Sequence, residues 1–150
     1  MNARGARATG FDLEGTLPLG ASVRGVFNYA YQNVVDSERQ RVDFSPQHKA
    51  NLQIQADLPG GLTGFLSAHL VGASVYHARG QAYPIAAYTR LDGRLGYAFR
   101  RHGEPWSVSV AVTNLLDDRH LEFPVTTKPK KTPLSASQPR TFWLQVSGKL

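Results

Sequence analysis

Apolar and polar residues alternate over several long stretches of this chain. In ANLQIQADL (50–58), every second residue is apolar, and the residues between them are polar. TRLDGRLGYAF (89–99) and WSVSVAVT (106–113) follow the same pattern. A period of two places the two sets on opposite faces of a β-strand. Because no segment of useful length has a helical period, the sequence predicts an all-β protein.

The alternation predicts an antiparallel meander of about seven long strands. Their expected positions are about 9–17, 21–35, 47–58, 62–77, 87–100, 106–116 and 140–150. Short turns rich in Pro and Gly alternate with long connections. The short turns are 18–20, 59–61 and 101–105, and the long connections are 36–46, 78–86 and 117–139. A meander with this pattern has every short turn at one end and every long loop at the other.

The composition limits the possible functions. The chain has 150 residues and no cysteine, which excludes disulfides and thiolate metal sites. A formal net charge of +6 permits nucleic acid, anionic lipid or an anionic ligand as partner. No apolar stretch is long enough for a transmembrane helix. The five histidines are dispersed, so we expect no metal site, and nothing in the sequence predicts a cofactor.

Two environments can produce amphipathic strands of this kind. In a soluble sandwich or barrel the apolar face points inward, whereas in an outer-membrane barrel it faces lipid. Unequal loop lengths and aromatic residues near the strand ends favour the membrane barrel. These aromatic residues are Tyr29, Tyr31, Tyr76, Tyr97, Phe99, Trp106, Phe142 and Trp143. The alternative is a soluble, basic β-sandwich or barrel that binds nucleic acid or another anionic ligand. Arginines and aromatic residues lie on opposite faces, which argues against nucleic acid.

Near the end of the chain, VTNLLDDRHLEFP (112–124) is followed by QPRTFWLQVSGKL (138–150). Together they resemble the end of the β-barrel in TonB-dependent outer-membrane receptors. The residues that match the family's motif are Asn114, Leu115, Leu116, Asp117, Pro139 and Arg140. FSPQHKANLQIQADLPGGL (44–62) and AYTRLDGRLGYAF (87–99) are also similar to segments of that family. The resemblance extends from about Gly10 to Leu150.

The resemblance implies a fold and a location. Residues 1–150 would be the C-terminal portion of a large transmembrane β-barrel in the outer membrane of a Gram-negative cell. The family's plug domain and its N-terminal barrel strands would be absent from this segment. The expected partners are membrane lipid and lipopolysaccharide, the remaining barrel and plug, and the TonB complex acting through the plug. Nucleic acid is not expected.

The resemblance also implies a function. The complete receptor would import a scarce nutrient, most often a ferric siderophore, and this segment alone would not transport it. Such import needs no covalent chemistry, so we expect no enzyme. Asp117 and Asp118 are not a catalytic pair on this interpretation, because no base or nucleophile is spaced to act with them.

Ligand contacts are expected from the long connections, whose cationic side chains would attract an anionic chelate. The candidates are Arg39, Arg41, Arg79, Tyr83, Arg119, His120, Lys128, Lys130 and Lys131. Contact with lipopolysaccharide phosphates, or simple solvation of the loops, remains the alternative for the charged ones.

The alternation predicts which residues face lipid and which face the lumen. The lipid-facing set is Leu52, Ile54, Leu91, Leu95, Val108, Val110, Leu144 and Val146. The lumen-facing set is Asn51, Gln53, Arg90, Asp92, Arg94, Ser107 and Ser109.

Overall fold

The computed structural model describes residues 5–78, 81–120 and 138–149. Within these residues the chain forms nine β-strands and one short 3-10 turn, Pro59–Gly61. The strands are β1 (Ala6–Pro18), β2 (Val23–Asp36), β3 (His48–Leu58), β4 (Leu62–Val71), β5 (Ser74–Ala78), β6 (Gln81–Ile85), β7 (Tyr88–Arg101), β8 (Glu104–Thr113) and β9 (Thr141–Gly148). In this described part, no helix is long and apolar enough to cross a membrane.

Seven of the strands form one antiparallel sheet in the order β1-β2-β3-β4-β7-β8-β9. β2 and β7 each have 14 residues, far more than the five or six that are typical of soluble proteins. The tight turns join the strands at one end of the sheet, the tight-turn end. The long connections leave from the other, the long-loop end. This arrangement confirms the predicted all-β antiparallel meander.

The prediction of one strand over 62–77 is wrong, because the chain leaves the sheet after Val71. The backbone N–H of Gly72 still donates to the carbonyl of His48 at 2.8 Å, one residue beyond the last paired residue, Val71. β5 and β6 then pair with each other as a separate two-stranded sheet. The predicted long connection 78–86 therefore contains β6. The strand predicted at 106–116 also ends early, at Thr113.

The two faces of the sheet show the reverse of the exposure in a water-soluble domain, because large apolar side chains are exposed and several polar ones are buried. The predicted apolar residues share one face, the apolar face, and the predicted polar residues share the other, the polar face. Leu144 and Leu95 are 72% and 66% exposed, whereas Ser67 and Ser109 are 2% and 8% exposed. Ile85 is the one buried hydrophobic residue within the described ranges. A water-soluble domain buries its apolar side chains, so this sheet requires an apolar environment on its outside.

Aromatic residues bound the apolar face at both ends. At the long-loop end, the Phe11 ring lies 5.9 Å from that of Tyr29, and the Tyr31 ring lies 5.3 Å from His48. At the tight-turn end, Tyr97 stacks on Phe99 at 5.7 Å. The 11-residue strand β3 connects the two levels. At about 3.3 Å per residue and a tilt of about 40°, it spans a height of about 25–28 Å, close to the apolar band of outer-membrane barrels.

Two of the aromatic residues expected near the membrane interfaces lie elsewhere. Trp143 pairs with Ala111 on the polar face, because its neighbour Phe142 occupies the apolar face. Tyr76 belongs to β5, outside the main sheet. Adjacent residues of one strand point to opposite faces, so Phe142 and Trp143 cannot share an environment.

Candidate functional site

A hydrogen-bonded network crosses three strands on the polar face. Asn51, His69 and Arg90 lie in one row across β3, β4 and β7, and Ser67 and Asp92 lie in the next. Arg90 Nε donates to Asp92 Oδ2 at 3.1 Å, and His69 Nε2 lies 3.5 Å from the same oxygen. His69 Nδ1 lies 2.6 Å from Asn51 Oδ1. The polar side chains on this face therefore provide hydrogen-bond partners for one another.

This network contains a serine, a histidine and an aspartate, but its geometry is not that of a hydrolase. In a catalytic triad the serine and the acid contact different nitrogens of the imidazole. Here Ser67 and Asp92 both approach Nε2 of His69. Ser67 is also fully buried, so no substrate can reach its hydroxyl. The sequence does not reveal this network, because its members come from three strands and form no local motif.

Within the described ranges, no group of three or more His, Asp or Glu residues could hold a metal ion. The strand predicted at 62–77 contains both His69 and His77, but the structure places His69 in β4 and His77 in β5.

The residues of the Asn114 motif form a turn at the end of β8, and Asn114 is the buried residue of this motif. Asn114 is 1% exposed and has a φ of 52°, a left-handed conformation that asparagine tolerates better than most residues. Its side-chain amide donates to the carbonyls of Asp118 at 3.0 Å and Gln138 at 2.8 Å. Its side-chain oxygen accepts the backbone N–H of Asp118 at 3.0 Å. One side chain thus holds both ends of the third long loop.

Further contacts attach this turn to the sheet. Asp117 Oδ1 accepts the backbone N–H of Arg140 at 3.3 Å, and the N–H of Leu115 donates to the carbonyl of Leu91 at 2.7 Å. Asp117 also has a positive φ, 53°. Leu116 and Pro139 are exposed. The motif residues therefore organise the strand end, and the described contacts of Asp117 and Asp118 are those of a structural turn.

The first long loop and the β5–β6 hairpin contact each other at the long-loop end. We call residues 36–47, 74–78 and 81–85 together the outer lobe. Asp43 Oδ1 accepts the backbone N–H of His77 at 3.1 Å and lies 2.6 Å from His77 Nδ1. The backbone N–H of Phe44 donates to the carbonyl of Val75 at 3.0 Å.

Stacked rings complete the outer lobe. The Phe44 ring lies 4.9 Å from Tyr76, and the Tyr76 ring lies 6.2 Å from Tyr83. The Tyr83 hydroxyl donates to Gln81 Oε1 at 2.9 Å. Tyr83, a predicted ligand residue, is therefore part of one aromatic cluster with the first loop.

The other predicted ligand residues fall into three groups. Arg39 and Arg41 are exposed on the first loop, where the N–H of Arg39 donates to the carbonyl of Asp36 at 3.1 Å. Arg119 is exposed beyond the Asn114 turn, whereas His120 is buried and stacks on Tyr88 at 3.6 Å. The remaining candidates, Arg79, Lys128, Lys130 and Lys131, lie outside the described residues.

Comparison with known proteins identifies a family model and several solved structures that this chain matches. A family model described as TonB dependent receptor-like, beta-barrel, matches residues 1–115. FpvA of Pseudomonas aeruginosa, solved with heterologous pyoverdines, has a TM-score of 0.77 and 19% sequence identity. The match covers 94% of this chain and 19% of the FpvA chain. The ferric citrate transporter FecA has a TM-score of 0.76 and 24% sequence identity, and the match covers 94% of this chain and 24% of the FecA chain. The ferric-catecholate import receptor Fiu of E. coli K12 has a TM-score of 0.74 and 18% sequence identity, and the match covers 94% of this chain and 20% of the Fiu chain.

The structural matches and the family model support different conclusions. The structural matches are too distant in sequence to show more than the fold, and the chain spans only about a fifth to a quarter of their length. The family model covers most of the chain. Members of the family are transporters rather than enzymes, which confirms the expectation that the chain performs no catalysis. The chain therefore belongs to the TonB-dependent receptor family of outer-membrane β-barrel proteins.

Proposed function

We propose that this chain is the C-terminal wall of a transporter that imports a ferric siderophore across the outer membrane. The proposal rests on one observation: the sheet exposes its apolar face, whereas the side chains of its polar face form hydrogen bonds with one another. Lipid would cover the apolar face, and the polar face would line the lumen. The solved structures with this fold include a ferric citrate transporter and a ferric-catecholate import receptor.

The segment would act only as part of a complete receptor. A seven-stranded sheet is much smaller than the plugged 22-stranded barrels of outer-membrane transporters. The remaining barrel strands would pair with its two edges, the plug would occupy the lumen, and the TonB complex would act on the plug. Alone, the segment would not transport.

The ligand would meet this segment at the long-loop end, which faces the cell exterior in outer-membrane barrels. The outer lobe presents an aromatic cluster and the exposed Arg39 and Arg41. Exposed cations raise the local concentration of an anionic chelate. The same role is proposed for Arg79, Arg119, Lys128, Lys130 and Lys131. His120, which is buried against Tyr88, is proposed as a ligand residue of the same loop rather than as an exposed cation. Contact with lipopolysaccharide phosphates would use the same charges.

Uptake by a complete receptor that contains this segment tests the proposal. Cells would be supplied with radioactive iron as ferric citrate or as a ferric catecholate, and the initial uptake rate would be measured. We expect transport of at least one complex. The double variant Arg39→Gln, Arg41→Gln should require more ligand for half-maximal uptake. The double variant Arg100→Gln, Arg101→Gln, at the tight-turn end, removes the same charge; it is the matched control and should not change it.

Two results would contradict the proposal. One is the absence of uptake of either complex by a receptor that reaches the outer membrane. The other is an equal effect of the loop variant and the control variant, which would place the ligand away from the outer lobe.

A further inference from the structure

His69 is the histidine of the network on the polar face, and histidine is the side chain that ordinarily changes its charge between about pH 5 and 8. Its side chain is 31% exposed, so protons from water can reach it. Nδ1 lies 2.6 Å from Asn51 Oδ1, and Nε2 lies 3.2 Å from Ser67 Oγ and 3.5 Å from Asp92 Oδ2. Both ring nitrogens of His69 therefore face oxygen atoms that can accept a hydrogen bond.

The number of N–H donors on the ring decides which of these contacts His69 makes. A neutral imidazole has one N–H, whereas a protonated imidazole donates from both nitrogens. When Nδ1–H donates to Asn51, a neutral Nε2 accepts from the Ser67 hydroxyl and turns a lone pair towards Asp92. A protonated Nε2 instead donates towards the carboxylate of Asp92, and the two opposite charges attract. The proton therefore makes the contact between His69 and Asp92 attractive.

Charged groups on both neighbouring strands lie on the same face as His69. On β7, Arg90 is its direct partner across the sheet, and Asp92 follows Arg90 on the polar face. On β3, Lys49 lies two residues from Asn51 on that face. Arg90 and Lys49 oppose a positive charge on the imidazole, whereas Asp92 favours it. Asp92 is therefore the residue whose contact the proton strengthens.

The carboxylate of Asp92 also holds the Asn114 turn. Its Oδ2 accepts Arg90 Nε and faces His69, whereas its Oδ1 accepts the backbone N–H of Asn114. Because a carboxylate is planar and rigid, a contact that fixes Oδ2 also fixes the direction of Oδ1. The Asn114 amide in turn donates to the carbonyls of Asp118 and Gln138, at the two ends of the third long loop. The imidazole is thus connected to the base of this loop.

We propose that His69 is a pH sensor of the sheet, whose protonation fixes Asp92 and thereby tightens the Asn114 turn that anchors the third long loop. The added stabilisation is present while the imidazole is protonated and is lost as the pH rises through its titration. The base of the loop is thus held more tightly in an acidic medium. The inference concerns this sheet alone and does not depend on the ligand that the complete receptor imports.

NMR of the full chain, labelled with a nitrogen isotope and held in detergent micelles, tests the inference between about pH 5 and 8. We expect the amide proton of Asn114 to shift with the same midpoint as the ring nitrogens of His69. The protection of this amide against exchange with water, corrected for the intrinsic effect of pH, should fall about fivefold across the titration.

Three variants separate a sensor from a merely structural residue. His69→Gln keeps a hydrogen-bonding side chain but cannot titrate, so the pH-dependent step at Asn114 should disappear. Asp92→Asn should also abolish this step, while His69 itself continues to titrate. His102→Gln, at an exposed position of the tight turn between β7 and β8, is the matched control and should retain the step.

The titration of the unaltered chain can by itself overturn the inference. An Asn114 amide that does not respond while His69 titrates would do so without any variant. A step that persists in His69→Gln would also reject it, because another group, such as His120, would then be the sensor. A step that persists in Asp92→Asn would show that Asp92 does not connect His69 to the turn.

Discussion

The backbone N–H of Asn114 donates a 2.9 Å hydrogen bond to the carboxylate of Asp92. Asn114 lies in the turn that holds the third long loop, and Asp92 lies in the network on the polar face. A continuous chain of hydrogen bonds therefore runs from Gln138 through Asn114 and Asp92 to Arg90 and, within 3.5 Å, to His69.

Replacing Asn114 should destabilise the sheet strongly. Asn114→Ala removes three side-chain hydrogen bonds from a buried site and puts alanine in a left-handed conformation. We expect a loss of about 3 kcal/mol in the free energy of unfolding. Urea unfolding in detergent would measure it. Leu116→Ala, at an exposed position of the same turn, should be nearly neutral, and equal losses would show that the turn is not held by Asn114.

A charge should be tolerated on one face and not on the other. Leu52 lies exposed near the middle of β3 on the apolar face, and its neighbour Gln53 lies on the polar face. In a bilayer, Leu52→Arg should reduce stability by about 2–4 kcal/mol. Gln53→Arg should have a much smaller effect, because its side chain would enter the lumen. Unfolding from lipid vesicles would compare the two variants, and a similar penalty for both would contradict the assignment of the faces.

The outer lobe should separate when Asp43 is removed. Asp43 accepts two hydrogen bonds from His77, so Asp43→Ala should release the β5–β6 hairpin from the first loop. Backbone amide exchange at 74–78 should then become faster, and mass spectrometry would detect it. Gln40→Ala, in the same loop, is the control. Unchanged exchange in the Asp43 variant would show that the stacked rings and the Phe44–Val75 backbone hydrogen bond hold the lobe without Asp43.

Alternation was sufficient to predict the main sheet, because an exposed apolar face and a polar face impose a period of two on every long strand. It failed at Gly72, where the apolar–polar pattern changes little although the strand ends. That end depends on the bond between Phe44 and Val75, which are distant in sequence. Local patterns carry no information about such pairings.

The Asn114 turn was recognised in the sequence only as a family motif. Asparagine suits a left-handed turn, but its burial depends on Gln138 and Asp92, each more than 20 residues away. The placement of Trp143 on the polar face could have been predicted, since strict alternation in TFWLQV separates it from Phe142. The network around His69 could not, because only the register of β3, β4 and β7 brings its members together.

Single-cysteine labelling tests most directly whether lipid covers the apolar face and water reaches the polar face. The chain has no cysteine of its own, so each introduced thiol is the one reactive group. Ile54→Cys and Gln53→Cys would be placed in lipid vesicles and exposed to a lipid-soluble and a water-soluble maleimide. We predict that Cys at position 54 reacts mainly with the lipid-soluble reagent and Cys at position 53 with the water-soluble one. Equal reactivity of the two positions towards both reagents would contradict the account.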